Sequence, residues 1–384
     1  MVEARVEGML DAGAKRSKIY QYLVEHDQNV IMSDVDNMVS SRQSAITTTN
    51  GHDATAAEVA RFNAADAENV STVTENESGT VGVISLSTAH MRRMFSRFPE
   101  VLLVDSSHKT NRHDYQLLTF MVMNQFGKGS VVQHSLMESS SDWHMLQAIE
   151  HFKRANPDGM KLLRVIVVDK DLNEIRVLQH AFPEVRVLIC QFHVIKWLKE
   201  KRGKPEYGKT STEDAKLIDG AIHAMVYATN SEVYSKHHSA LSDICSSVGI
   251  EGFFDYFETN WDASQDMWVM HHRAHLQHFK NHTNNRLENF FGKIKDAHVN
   301  SSMSMAACIR ALCNYDMIEE KEYRYKIARI GRRTHAGFDE ELSNVLRATT
   351  HFTAEQIQPE YAAGLAKYAK YMFEQTTDEL IILV

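Results

Sequence analysis

Two short runs, VLLVDSS and LLRVIVVDK, each set an aspartate at the end of a wholly apolar stretch, Asp105 and Asp169. Such runs read as buried central strands, and the carboxyl ends of central strands are where α/β folds build their sites. Two carboxylates on neighbouring strand ends offer the hard oxygen donors that Mg²⁺ takes while keeping part of its water. A strand-end aspartate can instead simply cap a turn; the pair, in this strand order, argues for a site. Glu174 and Asp171, just behind Asp169, are two acids within reach of a third position. Cys190 and His193 stand three apart where EVRVLIC gives way to QFHVIKWLKEKR. They read as half of a metal site, a redox thiol with its base, or a marker of the strand–helix junction. Cys245, Cys308 and Cys313 lack ligand spacing, so no structural zinc is expected, and a strand-to-helix turn suits packing better than an activated thiolate. His271, His275, His278 and His282 follow spacings that on one helix would share a face. Without an H-E-x-x-H pattern or a cysteine partner they read as a polar face.

Positioning these residues requires a sheet. STAHMRRMFSRFPE reads as a helix, VLLVDSS as a strand, and YQLLTFMVMNQ and SVVQHSLMES as a hairpin around FGKG. SDWHMLQAIEHFKRAN is an amphipathic helix, VIVVD a strand, DLNEIRVLQHAF a helix, EVRVLIC a strand, and QFHVIKWLKEKR opens another helix. The order β–β–β–α–β–α–β–α predicts a mixed sheet with helices on its faces. The expected organisation is a small helical region at 1–43, in which a helix-turn-helix-like pair is a candidate, and a linker at 44–80. The first part of the α/β core follows at 81–205 and an all-helical insertion at 206–280. The end of the core lies at 281–330 and a helical tail at 331–384. Trp143, Trp197, Trp261 and Trp268 are expected to pack in cores or between domains, not to serve as base-stacking platforms.

Composition sets limits. The formal net charge of −8 argues against a wholly basic nucleic-acid binder. It leaves room for local patches such as KEYRYKIARIGRR at 321–333, which holds six Lys/Arg against one Glu. Four scattered cysteines do not make a disulfide framework. No apolar run is long enough to span a bilayer, and the N-terminal stretch lacks a signal-peptide core, so an intracellular location and no membrane partner are expected.

The ordered set LLVDSSHKTN, hairpin, ESSSDWHML, VIVVDKDLNE, FPEVRVLICQFH and HTNNRLENFFGKIK resembles the RNase H-like catalytic domain of Mutator-like (MULE-type) DNA transposases. It resembles more closely the version found in zinc finger SWIM-domain proteins. The resemblance covers about residues 85–330. It implies an RNase H-like mixed sheet interrupted by a helical insertion, and it supplies the third acid as Glu288 of TNNRLEN, ahead of its rivals Glu174 and Asp171. Asp105, Asp169 and Glu288 would then be catalytic and would hold two Mg²⁺ (or Mn²⁺) ions for DNA cleavage and strand transfer, with Cys190 and His193 bracing the junction. Lys109, Asn111, Asn285, Arg286, Lys293, Lys295, Arg329, Arg332 and Arg333 are candidate contacts to DNA phosphates. DNA is the expected partner, a nuclear location follows, a homo-oligomer is a candidate assembly, and no small-molecule substrate is implied. No C-x-C…C-x-H zinc module of the SWIM type follows residue 330, which points to a truncated or degenerate copy. The alternative is a domesticated DNA- or protein-binding module without catalysis.

Overall fold

The computed structural model describes residues 51–365 apart from 277 and 280, short stretches between residues 5 and 38, and the backbone of 373–375 and 381–383. The chain divides into two units, one of residues 1–122 with 129–317 and the other of 123–128 with 318–384.

The first unit is built on a seven-stranded mixed sheet. Its strands are β1 (Val70–Glu75), β2 (Val81–Ser87), β3 (Val101–Ser107), β4 (Gln116–Met123), β5 (Gly129–Met137), β6 (Val165–Val168) and β7 (Arg186–Ile189), in the order β1-β2-β5-β4-β3-β6-β7. β1 pairs antiparallel with β2, β2 with β5 and β3 with β4, whereas β3–β6 and β6–β7 run parallel. The fully buried VIVV of β6 is what a parallel strand covered on both faces requires.

Side chains alternate between faces along a strand, and the packing follows that period. Leu102 and Val104 of β3 and Phe120 of β4 turn to one face, where Phe120 stacks on Phe152 with ring centroids 4.7 Å apart. Phe152 belongs to a helix at Asp142–Ala155, and Phe95, from a helix at Ala89–Arg97, meets its ring edge-on at 4.8 Å. Val101 and Leu103 of β3, Leu117 and Met121 of β4, Val165 and Val167 of β6 and Leu188 of β7 turn to the opposite face. They share a core there with Leu287, Phe290, Phe291 and Ile294 of a helix at Asn285–Ala297, and with Cys308, Ile309 and Leu312 beyond it.

Between β7 and that helix the chain is helical, as the expected insertion requires: Gln191–Arg202, Thr212–Val226, Ser231–Val248 and Glu251–Asn260. Trp261 and Trp268 anchor this region, both fully buried with rings nearly perpendicular at 6.3 Å. Trp143 and Trp197 depart from the expectation, because both stand exposed.

The segment read as a linker, 44–80, carries a helix at Gly51–Ala65 and the edge strand β1. Its alanines favour helix; Phe62 enters the core and Glu58 is fixed by Arg61 and Arg310. VSTVTE hides its strand signal because an edge strand buries little, and the turn to β2 is made by Gly79 at φ +75°. In the N-terminal region the helix Arg16–Glu25 buries Ile19 and Leu23 beside Val6 and Val35; most of its expected partner helix lies outside the described residues. The histidine-rich stretch is no continuous helix. It is helical only over Met270–Arg273 and turns thereafter, so the four histidines share no face.

In the second unit, Gln125 of the hairpin loop exchanges hydrogen bonds with Tyr323, and the Thr350 hydroxyl donates to the Gln125 carbonyl. Helices at Glu340–Ala348 and His351–Gly364 follow. The helix that begins at Met305 ends at Ile327, so Arg329, Arg332 and Arg333 lie past its end, exposed. Arg324 and Lys326 are engaged by Glu320 and Glu322 one turn back.

Candidate active site

Register brings the key residues together. Leu103 pairs with Val167, and Val167 with Leu188, across three parallel strands. Two residues further on, Asp105, Asp169 and Cys190 come abreast, all on the parity that faces the helix Asn285–Ala297. Asp105 lies inside β3, two residues before its end, and Asp169 immediately follows β6. Glu288 sits in the first turn of the facing helix, whose apolar stripe fixes its distance from the sheet.

Cys190 and its neighbours fasten that helix. The Cys190 Sγ accepts a hydrogen bond from the Asn284 amide at 3.2 Å, and Asn284 Nδ2 donates to the Val104 carbonyl at 3.3 Å. The Gln191 amide donates to the His282 carbonyl at 3.0 Å, while the Gln191 side-chain amide reaches the carbonyls of Val226 and Trp268. One strand–helix junction thus ties the entry of the Glu288 helix to β3 and to the helical insertion. Burial pushes the Cys190 thiol up, which suits an acceptor in a packed junction and not a nucleophile.

His193, one turn into the helix that Cys190 opens, lies between two acids. Its Nδ1 is 3.2 Å from Asp169 Oδ1 and its Nε2 is 2.7 Å from Glu288 Oε1. The ring lies between Asp169 and Glu288, close to Glu288 through Nε2, while its buried Nδ1 approaches Asp169 without making a hydrogen bond. Both carboxylates keep substantial exposure, while His193 is largely covered. Asp105 is the inner carboxyl: burial first, then the charges of Asp169 and Glu288, push it up to about 7 against a lowering hydrogen bond from the Ser106 amide (2.7 Å). Glu174, on the helix Leu172–Ala181, joins the cluster. Burial first, then Asp105, Asp171 and Asp169, push it up to about 8. Asp171 itself is exposed and caps that helix by accepting from the amides of Asn173 and Glu174. Lys170 lies with its Nζ 3.3 Å from the centre of the Trp261 ring, and burial lowers it to about 8. Among the described residues no Lys or Arg is ion-paired with Asp105, Asp169, Glu174 or Glu288.

The other sequence candidates separate. Asn111 is buried, bonding the Tyr115 carbonyl and accepting from the amides of His113 and Tyr115, so it organises its loop and cannot reach DNA. Arg286 is half-buried and donates to Asn281 at 2.7 Å. Lys109, Asn285, Lys293 and Lys295 are exposed; Lys109 is close enough to Lys295 that its charge adds to burial in lowering Lys295. Arg329, Arg332 and Arg333 belong to the second unit. Asn284 and Gln191, which hold the junction, were not singled out from sequence; only their places inside TNNRLEN and between Cys190 and His193 could have flagged them.

Residues 60–188 match the RNase H-like domain of zinc finger SWIM domain-containing proteins 1 and 3. With the sheet just described, the match defines an α/β fold of RNase H-like type with a helical insertion and C-terminal helices. Among full-length proteins, a mouse protein named Uncharacterized protein ZSWIM9 is 23% identical over 194 residues, which cover 50% of this chain and 42% of the relative. Its human counterpart is also 23% identical over 194 residues, 30% of its own length. The aligned segment thus spans less than half of either relative. The domain match ends at residue 188 and so includes Asp105 and Asp169 but stops short of Cys190, His193 and Glu288.

No helix among the described residues is long and apolar enough to cross a membrane.

Proposed function

We propose that this domain is a metal-dependent phosphodiester-cleaving unit of transposase ancestry acting on DNA, with Asp105, Asp169 and Glu288 as its catalytic carboxylates. The observation that carries the reading is the half-buried Asp105, acted on by the charges of Asp169 and Glu288 and, among the described residues, without an ion-paired cationic side chain to neutralise it. Asp105 feels the charges of Asp169 and Glu288, and Glu174 those of Asp105 and Asp169. Among the described residues no three of these acids hold oxygens within 4.8 Å of one another, so a cation would have to draw them closer, and an all-oxygen donor set suits a hard divalent ion. Asp105, Asp169 and Glu288 would hold Mg²⁺ or Mn²⁺, with Glu174 behind Asp105. When bound, the metal would lower the pKa of attacking water and neutralise charge on the phosphate. The chain's own part is to hold three carboxylates on two parallel strand ends and one helix, and to fix that helix through Cys190 and Asn284. Lys109 and Lys295 offer a positive patch for the DNA backbone.

A second reading, a binding module without catalysis, is favoured by one feature: His193 already lies between Asp169 and Glu288. In that reading the imidazole closes the site, and a divalent ion does not displace it.

Nicking of supercoiled plasmid in Mg²⁺ or Mn²⁺ tests the two. The catalytic reading expects nicking that is lost in Asp169→Ala. Nicking unchanged by that substitution, or absent from wild-type protein in either metal, overturns it.

A further inference from the structure

Beside the carboxylates lies a groove of about 560 Å³ formed by the helices Gln191–Arg202 and Thr212–Val226 and the start of Asn285–Ala297. We propose that this groove holds an unpaired nucleotide of the DNA strand presented to the site; the inference rests on the nucleic-acid reading above and names the form of its substrate.

The groove has aromatic walls that the fold leaves open. Phe192 is 43% exposed and Tyr227 39% exposed, and the Tyr227 ring lies 4.6 Å from that of His223, also in the lining. Phe192, Lys196 and Lys199 stand at i, i+4 and i+7, so they share one face of their helix. Lys199 is 3.8 Å from Asp219, and Glu200 lends the rim an opposing charge, which leaves Lys196 as the cation for a phosphate. The groove adjoins the acids directly. Phe192 lies 5.5 Å from His193, ring to ring, His193 touches Glu288, and Asn285 on the groove wall is one helical turn before Glu288.

Aromatic faces flanking a basic residue are the chemistry that recognises bases freed from a duplex. Stacked duplex bases present no face to a side chain, whereas unpaired ones stack on aromatic rings with little regard to sequence. The volume falls within the usual range for a small-ligand site.

The test is equilibrium binding of the full chain, in EDTA, to fluorescein-labelled single-stranded DNA, blunt duplex and duplex with a single-stranded overhang, read by anisotropy. Single-stranded and overhang DNA should bind more tightly than blunt duplex. Phe192→Ala and Tyr227→Ala should each weaken that binding by about tenfold, while Phe192→Tyr retains it. Lys196→Ala should lower the magnitude of the salt slope by about 0.7. Equal affinity for single strand and blunt duplex overturns the proposal. So does single-strand affinity unchanged in both alanine variants with native circular dichroism, or displacement of the oligonucleotide by an apolar peptide at lower concentration than by unlabelled single strand. Because EDTA removes the metal, the result is independent of plasmid nicking. Nicking without the groove effect sinks this inference alone, and the groove effect without nicking sinks only the catalytic reading.

Discussion

At the scale of single residues, the site is a place where folding costs free energy. Burial and neighbouring acids raise Asp105 from an ordinary 3.8 to about 7, and Glu174 from 4.5 to about 8. Across the window between those values the folded chain binds more protons than the unfolded chain. Stability is therefore highest below the ordinary carboxylate range and is lost as pH rises toward the folded values. Asp105→Asn removes one of these charges and should raise the metal-free melting temperature at pH 8 by a few degrees, with the gain shrinking as pH falls toward 3.8. A melting temperature lowered at pH 8 would show that Asp105 is compensated in the folded protein. Asp105 and Asp169 were legible in the sequence because each follows an uninterrupted apolar run. The role of His193 between Asp169 and Glu288 was not, because helix and strand spacing say nothing of which acids a histidine ring will meet across a fold.

At the scale of elements, one helix and one junction carry Glu288. The apolar stripe Leu287, Phe290, Phe291 and Ile294 seats the helix against the sheet, and Cys190 with Asn284 sets where it begins. Leu287→Ala should cost about 2–5 kcal/mol in urea unfolding, the range for a buried leucine. Asn284→Ala should cost about 1–3 kcal/mol, since it opens a side-chain bond to the Val104 carbonyl in a buried place, and should weaken Mn²⁺ binding measured by calorimetry. Mn²⁺ affinity untouched by Asn284→Ala would separate the junction from the site. The central strands were readable as wholly apolar runs, and the helices by period. β1 was missed because VSTVTE is polar and half-exposed at the sheet edge, so its alternation is faint, whereas β2, VGVISLS, is almost wholly buried and went unread in front of the helix that follows it. The histidine stretch was misread because spacing can name a shared face only if the helix continues, and here it ends at Arg273.

At the scale of the whole molecule, a chain of net charge −8 carries an acidic site whose carboxylates repel one another until a cation joins them. Metal binding and proton release are linked at such a site, so added Mn²⁺ should raise the melting temperature more at pH 8 than at pH 5. An equal rise at both would place the metal elsewhere. The ordered succession of motifs made the RNase H-like sheet and helical insertion legible, because each station lies on an element that sequence pattern can identify. The contact of Glu288 with His193, and the reach of its charge to Asp105, were not legible from spacing, since they depend on closing a long helical insertion. Glu288 also lies outside the matched residues 60–188, which makes it the sharpest point of the account. The measurement that tests it most directly is the Mn²⁺-dependent plasmid-nicking rate of Glu288→Gln beside wild type. Loss of the third carboxylate predicts a rate lower by about two orders of magnitude or more, with the fold intact by circular dichroism; a Glu288→Gln rate equal to that of wild type would contradict the three-carboxylate site.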